Sequence, residues 1–388
     1  MRITIPLILL TSLFWLSACN QKQSPATDTE LVATEFDAPE FDAIVGGTSP
    51  TAFTTLQAAL DAAPADESKR YRILLSAGDY NEKLTITRAN LEIRGSGARK
   101  TRIYFDAFAG NSRHYRADNW GTPGSATVAI NAHNIHLADL TIENTFDYLT
   151  NDGKKTRNDP TAADDSQAVA LLLDTGSDKI SLSKVILNGY QDTLFVHGKR
   201  AYFYKTTISG NVDFIFGQGN AVFERSIIVS RPRNSIFAEN EIHSFITAPS
   251  TNIASEYGLT FIDCRLTREP GVPDGSITLG RPWHPTTNFP DGRYADPNAI
   301  GKAVFIRTFM DSHINAQGWS SMPGTAPDGT KSRIFTPEES RFFEYHSSGP
   351  GAAINSKRPQ LSDQQAATFT LENIFQDWQP PREQNTAP

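Results

Sequence analysis

Six stretches of the chain repeat one hydrophobic pattern. An apolar residue, sometimes replaced by a small polar one, stands at offsets 0, 2, 5 and 7 from starting points at Ile135, Ile180, Ala201, Ala221, Leu259 and Ala303. One copy reads Ile180, Leu182, Val185, Leu187 and the next Ala201, Phe203, Thr206, Ile208. Offset 4 is polar throughout: Asp139, Lys184, Lys205, Arg225, Asp263 and Arg307. Residues two apart share one face of a strand, so offsets 0 and 2 point inward, a bend follows, and offsets 5 and 7 point inward again. Successive copies begin about one or two turns of 20 to 23 residues apart, the spacing of a solenoid. The pattern predicts a right-handed parallel β-helix from about Tyr71 to Phe343, with Ile180, Ala201 and Ala221 stacked in one inward ladder. Propeller blades repeat at about 40 to 50 residues and a sandwich does not repeat, so both are disfavoured.

The punctuation around the coils predicts the rest. Phe53–Ala63 places Leu56, Ala59, Leu60 and Ala63 at helical spacing, with Thr54 and Gln57 as a capping box and Pro64 as a stop, a helix suited to closing one end of the solenoid. Ser362 and Gln365 form a second box opening a short C-terminal helix, and no other long amphipathic helix is expected between them. Three insertions, Asp106–Ser125, Thr145–Ser166 and Thr286–Ile300, exceed single coils and are expected to flank a cleft.

The first residues change the cellular picture. Arg2, an apolar run from Ile3 to Leu16, and Leu16-Ser17-Ala18-Cys19 read as an export signal over residues 1–18 resembling a bacterial lipobox, with Cys19 as the lipidated residue. Asn20 after it points to the outer membrane. A polar tether over 19–45 then leads into one catalytic domain over 46–380, and 381–388 is a disordered end. Only Cys264 is left beside Cys19, so no intramolecular disulfide is available; at inward offset 5, Cys264 reads as a core residue. A formal charge of −7 argues against a nucleic-acid partner. A monomer is expected.

The candidate chemistry lies in Gly189–Asn220. Asp192 and Asp213 stand at the same offset from the first members of two consecutive ladders, Ile180 and Ala201, so they stack at roughly the 4.8 Å spacing of neighbouring strands. Two carboxyls that close push their pKa values apart, leaving one protonated beside an ionised neighbour, a pairing suited to acid–base or nucleophilic work. Gln191 adjoins Asp192, and Gln167 lies about one coil earlier, so two amides converge as candidate donors to an oxyanion. Arg281 and Trp283, in Leu279-Gly-Arg-Pro-Trp283, supply a guanidinium to hold a carboxylate and an indole to stack on a sugar.

GYQDTL at 189–194, VDFIFG at 212–217, QAVAL at 167–171, LGRPW at 279–283 and GDYNE at 78–82 together resemble the pectin methylesterases, over about Phe53 to Trp378. The resemblance implies Asp213 as nucleophile, Asp192 as general acid and then base, Gln167 and Gln191 as oxyanion donors, Arg281 orienting Asp213, and Trp283 in the substrate cleft. It implies methyl-esterified galacturonate in pectin as substrate, with no metal or organic cofactor. A serine esterase is not supported, since no Gly-x-Ser-x-Gly run occurs. Other β-helix proteins cleave the polygalacturonate backbone by hydrolysis or elimination, and a scaffold of this kind can also merely bind carbohydrate. The paired glutamines favour ester chemistry over the first, and the intact Asp192, Asp213 and Arg281 disfavour the second. His197 is close to Asp192 in sequence but reads as structural, and Asn151-Asp152-Gly153 and Asp164-Asp165 lack the alternation of a calcium loop.

Overall fold

The structure, a computed structural model, describes residues 41–115 and 120–381; the export signal, Cys19, nearly all of the expected tether and residues 382–388 lie outside them. Among the described residues the chain winds as a right-handed parallel β-helix with three long faces of ten, seven and eight strands. The predicted ladder is present: Ile135, Ile180, Ala201, Ala221, Leu259 and Ala303 pair successively in the ten-stranded face. Offset 7 does the same in the eight-stranded face, from Ile142 through Leu187, Ile208, Ile228 and Leu266 to Met310. The bend between them has a conformational cause. Asp139, Lys184, Lys205, Arg225, Asp263 and Arg307 all adopt left-handed backbone, φ between 47° and 54°, which turns the strand through a corner with the side chain outward.

The interior is a column of stacked side chains. Phe203, Phe223, Phe261 and Phe305 lie ring on ring with centroids 4.6, 4.5 and 4.4 Å apart, close to the distance between strands, so the coil repeat itself sets the stacking. Each fully buried ring of this size is worth about 1.5–3 kcal/mol in area removed from water. Cys264 sits in this core, 1% exposed, its thiol pushed up to about 12 by burial.

Both ends are covered. At the start, Ala43–Val45, expected to finish the tether, instead forms the first strand and pairs with Ile73–Leu75. The capping helix is shorter than expected, Leu56–Asp61, and its cap is Thr55 rather than Thr54, the Thr55 hydroxyl accepting from Ala58 N–H at 3.1 Å. Gln57 does not complete a capping box. Its N–H and that of Leu56 are taken by the Glu82 carboxylate at 2.9 and 2.8 Å, an acid placed at the helix N-terminus from another coil. At the other end the Ser362–Gln365 capping box is formed. The C-terminal segment then lays Ile374, Phe375 and Trp378 across the outer side of the ten-stranded face, burying Tyr202, Val222 and Val304.

The insertions depart most from expectation. Thr145–Ser166 contains a helix, Tyr148–Thr156, capped by Asp147. Thr286–Ile300 holds an antiparallel hairpin, Thr286–Phe289 with Gly292–Ala295, that supplies none of the cleft lining. Of the three, only Asp106–Ser125 lines the cleft, through Thr122 and Pro123.

Candidate active site

The seven-stranded face turns one side to the core and the other to a cleft of about 450 Å³. Along its outer side Leu172, Phe195, Phe216 and Ala248 are consecutive partners across four strands, and with Val169 and Ala126 they make an apolar floor against which Trp283 packs. Trp283 meets Phe216 and Phe195 edge-on, at 5.6 and 6.1 Å between centroids.

Asp192 and Asp213 stand at one end of this floor, in register: Leu194 pairs with Ile215, and Asp192 N–H donates to Val212 C=O at 3.1 Å. Both have left-handed backbone, φ 65° and 52°. For Asp213 the local cause is a bulge, since Val212 pairs with Phe245 while Ile215 already pairs with Thr247, and the extra residue re-aims its neighbour's side chain. Gly217 closes the same strand at φ 121°, where a Cβ would lie 2.1 Å from Val196 C=O, so only glycine lets the coils approach.

Arg281 arrives from the next strand but one. Its Nε and Nη2 donate to the two oxygens of Asp213 at 2.8 and 2.6 Å, a fork on a carboxylate. The Phe245 ring lies 3.9 Å beneath the guanidinium, and Arg281 N–H is tied to Thr247 C=O at 3.0 Å. Burial works against the Arg281 charge, but Asp213 outweighs it and holds the guanidinium protonated above its usual range. Asp192 has no such clamp. Burial first, and then the Asp213 charge, raise its carboxyl well above the ordinary range, with Arg281 offsetting part of the effect.

Gln191 lines the cleft beside Asp192, and Gln167 lines it from the coil before. The backbone carbonyls of Gln167 and Gln191 accept from Ala109 N–H at 2.8 Å and Ala168 N–H at 3.1 Å, respectively. The amide oxygen of Gln167 is buried without a hydrogen-bond partner among the described residues. All six residues expected from the sequence at this site, Gln167, Gln191, Asp192, Asp213, Arg281 and Trp283, therefore share one cleft; Cys19 lies outside the described residues.

His197 stays apart, its ring stacked on Phe195 at 5.0 Å and its Nδ1 3.6 Å from Asp174. Asp152 is also accounted for: it accepts from Arg233 Nη2 at 2.7 Å, from Ser235 Oγ at 2.7 Å and from the N–H groups of Asn234 and Ser235 at 2.9 Å. The sequence reading missed Phe195, Phe216, Ala248, Met322, Thr122 and Pro123 in the lining. A signal for the first two existed, since each follows its aspartate by three residues; Met322 comes from a strand of a side hairpin and Thr122 from the short helix Gly121–Gly124, neither of which carries the repeat.

A buried carboxyl of raised pKa, a carboxylate forked by arginine and two amides over an aromatic floor, set on a β-helix, make up a site suited to carboxylic ester hydrolysis. The Pectinesterase family profile matches residues 42–377. Pectinesterase A of Dickeya chrysanthemi is 45% identical over 346 residues, covering 88% of this chain and 93% of that protein. Pectin methylesterase PemA from Erwinia chrysanthemi superposes with a TM-score of 0.84 at 44% identity, covering 89% of this chain and 99% of that one. A pectin methylesterase solved in complex with a hexasaccharide gives 0.85 at 43% identity over 89% and 100%. The chain belongs to the pectinesterase family. It is a carboxylic ester hydrolase that removes methyl esters from the galacturonate units of pectin.

Proposed function

We propose that Asp213 is the nucleophile of this esterase and Asp192 its general acid and base. The observation that carries the assignment is the asymmetry of the pair: Arg281 forks Asp213, whereas Asp192 is buried and its carboxyl raised. An Asp213 oxygen attacks the ester carbonyl, and the Gln167 and Gln191 amides donate to the oxyanion, contacts worth about 3 kcal/mol each in other acyl-transfer sites. As the tetrahedral centre collapses, Asp192 gives its proton to the departing methoxide and methanol leaves. The resulting anhydride is attacked by water, whose proton passes to Asp192; the C–O bond to Asp213 breaks, restoring its carboxylate and leaving a free galacturonate. Arg281 holds Asp213 in line, and Trp283 with Phe195 and Phe216 gives the sugar and its methyl group an apolar seat.

Trapping tests the assignment. An activated galacturonate ester added to the Asp192→Asn variant should leave an acyl adduct, and peptide mapping should find it on Asp213. An adduct on another residue rules this order of roles out.

The chain is further proposed to act as a monomer held at the outer membrane through a lipid on Cys19, carried by the Leu16-Ser17-Ala18-Cys19 motif and Asn20. Cys19→Ser should move the protein from the membrane fraction to the soluble one without loss of specific activity. Retention on the membrane after washing would defeat the anchor.

A further inference from the structure

The insertion helix Tyr148–Thr156 supplies nothing to the cleft lining, yet it bears on the turn that carries Gln191 and Asp192. Tyr148 is buried, and its ring lies on that of Tyr190 with centroids 5.4 Å apart and planes 9° from parallel. The Arg231 guanidinium packs on the Tyr190 ring as well, 3.9 Å from its centre. Arg231 Nη1 donates to Gly189 C=O at 2.9 Å, and Arg231 N–H donates to Gly210 C=O at 2.7 Å. Gly189 and Gly210 each stand three residues before an aspartate of the pair, so one arginine ties the turns that carry both. Asn211 N–H joins the same two turns through Tyr190 C=O at 2.9 Å. The two residues that hold Tyr190 are also linked to each other. Asp152, four residues after Tyr148 and so on the same side of the helix, binds Arg233 and Ser235, two and four residues after Arg231.

A helix of this kind would ordinarily be read as a cover for the edge of the solenoid. Two features exceed a cover. Its contact falls on the neighbour of Gln191, in a turn where Asp192 sits at φ 65°, a backbone state that persists only where the surroundings enforce it. The second feature is electrostatic. Burial chiefly raises the Tyr148 phenol, Arg233 opposes it, and the charges of Asp152, Asp192 and Asp213 add to it, so Tyr148 stands within reach of both acids of the cleft. Tyr190 is raised by burial too, against Arg231 and with Glu269, Asp147 and Glu143. We propose that Tyr148 and Arg231 are positioning residues of this esterase: through Tyr190 they hold the Gly189–Asp192 turn, and with it Gln191 and Asp192, in the arrangement that the reaction uses. The Asp152–Arg233 pair keeps both holders in place. The inference rests on Asp192 being the proton donor.

The test is the pH profile of kcat/KM for methanol release from a methylated oligogalacturonide. Asp192 acts with its proton on, so its carboxyl sets the alkaline limb of the native profile; burial and Asp213 raise that carboxyl, and Arg281 opposes them. Tyr148→Leu removes the ring stack and frees the turn. Water then reaches Asp192, its carboxyl falls back toward the ordinary range, and the limb should move to lower pH. At the plateau kcat should drop about tenfold with KM within about twofold, a modest case of a misplaced reacting group. Tyr148→Phe keeps the ring and should restore both the limb and kcat. A lower kcat with the limb unmoved, matching a smaller folded fraction by circular dichroism, would make the helix a cover alone and overturn the proposal. An unchanged profile overturns it equally. A native profile with no alkaline limb would instead defeat the reading of Asp192 as donor, and this proposal with it.

Discussion

Asp213 and Asp263 are nearly the same object in two places. Both occupy a corner of the solenoid, both have left-handed backbone at φ 52° and 53°, and both are forked by an arginine, Arg281 at 2.8 and 2.6 Å and Arg307 at 2.7 and 3.1 Å. The surroundings differ. The side chains of Arg307 and Asp263 are 50% and 38% exposed, those of Arg281 and Asp213 18% and 10%. Around Asp263 water screens the pair, and its worth falls to that of a surface ion pair, about 0–1 kcal/mol. Around Asp213 the pair is largely buried, a second carboxyl is stacked alongside, and the same fork fixes the carboxylate at the edge of the cleft floor. An aspartate at a β-helix corner is thus a turn device by default, and burial with a second carboxyl turns it into chemistry.

The comparison breaks most visibly by removing each acid. Asp213→Asn should lower turnover by about 10⁴-fold or more, as loss of a covalent nucleophile does. Asp263→Asn should leave methanol release within about twofold and stability within about 1 kcal/mol. A comparable loss of activity from both would mean that the corner geometry, and not the buried setting, carries the reaction.

Asp192→Asn should cost somewhat less, about 10³-fold, since general acid–base assistance contributes about 10² to 10⁴. An ester with a better leaving group should partly restore acylation in this variant and not in Asp213→Asn. Rescue of Asp213→Asn alone would reverse the two roles while leaving the family and the fold intact.

The arginines sharpen the contrast further. Lysine keeps the charge and loses the fork, so Arg281→Lys should lower kcat by about 10²-fold, the usual cost of a misplaced reacting group. Arg307→Lys should not change the kinetics.

The sequence carried these two settings unequally. The ladders were legible because a solenoid writes its register directly into spacing: Ile180, Ala201 and Ala221 are partners wherever the loops go. The paired carboxyls of the cleft were legible for the same reason, standing at one offset on adjacent coils. What spacing does not encode was lost. The Tyr148–Thr156 helix reads as a polar loop because its buried side includes Asn151 and Asp152, made tolerable by Arg233 and Ser235 some eighty residues later. The cap of the Leu56–Asp61 helix was misplaced by one residue because its N-terminus is served by Glu82, an acid from another coil. Polar side chains at offset 4 marked a bend, but the left-handed backbone that makes it is visible only in the structure.

The smallest effect is read from the pH dependence of stability at Asp192. An aspartate raised in the folded chain, as Asp192 is by burial and by Asp213, keeps its proton after the unfolded chain has lost it at its ordinary value of about 3.9. Between those two values the unfolded state binds fewer protons than the folded one, so this group makes stability fall as pH rises, and the fall ends above the raised value. Asp192→Asn removes that slope. Measured by urea denaturation from pH 4.5 to 7.5, the stability of Asp192→Asn relative to the native chain should therefore climb with pH, whatever constant offset the new amide brings. Glu344, raised by its own burial against Arg358, bends both curves alike and cancels in the difference. Parallel curves for Asp192→Asn would show that its carboxyl is not raised, and would remove the reason for making it the proton donor.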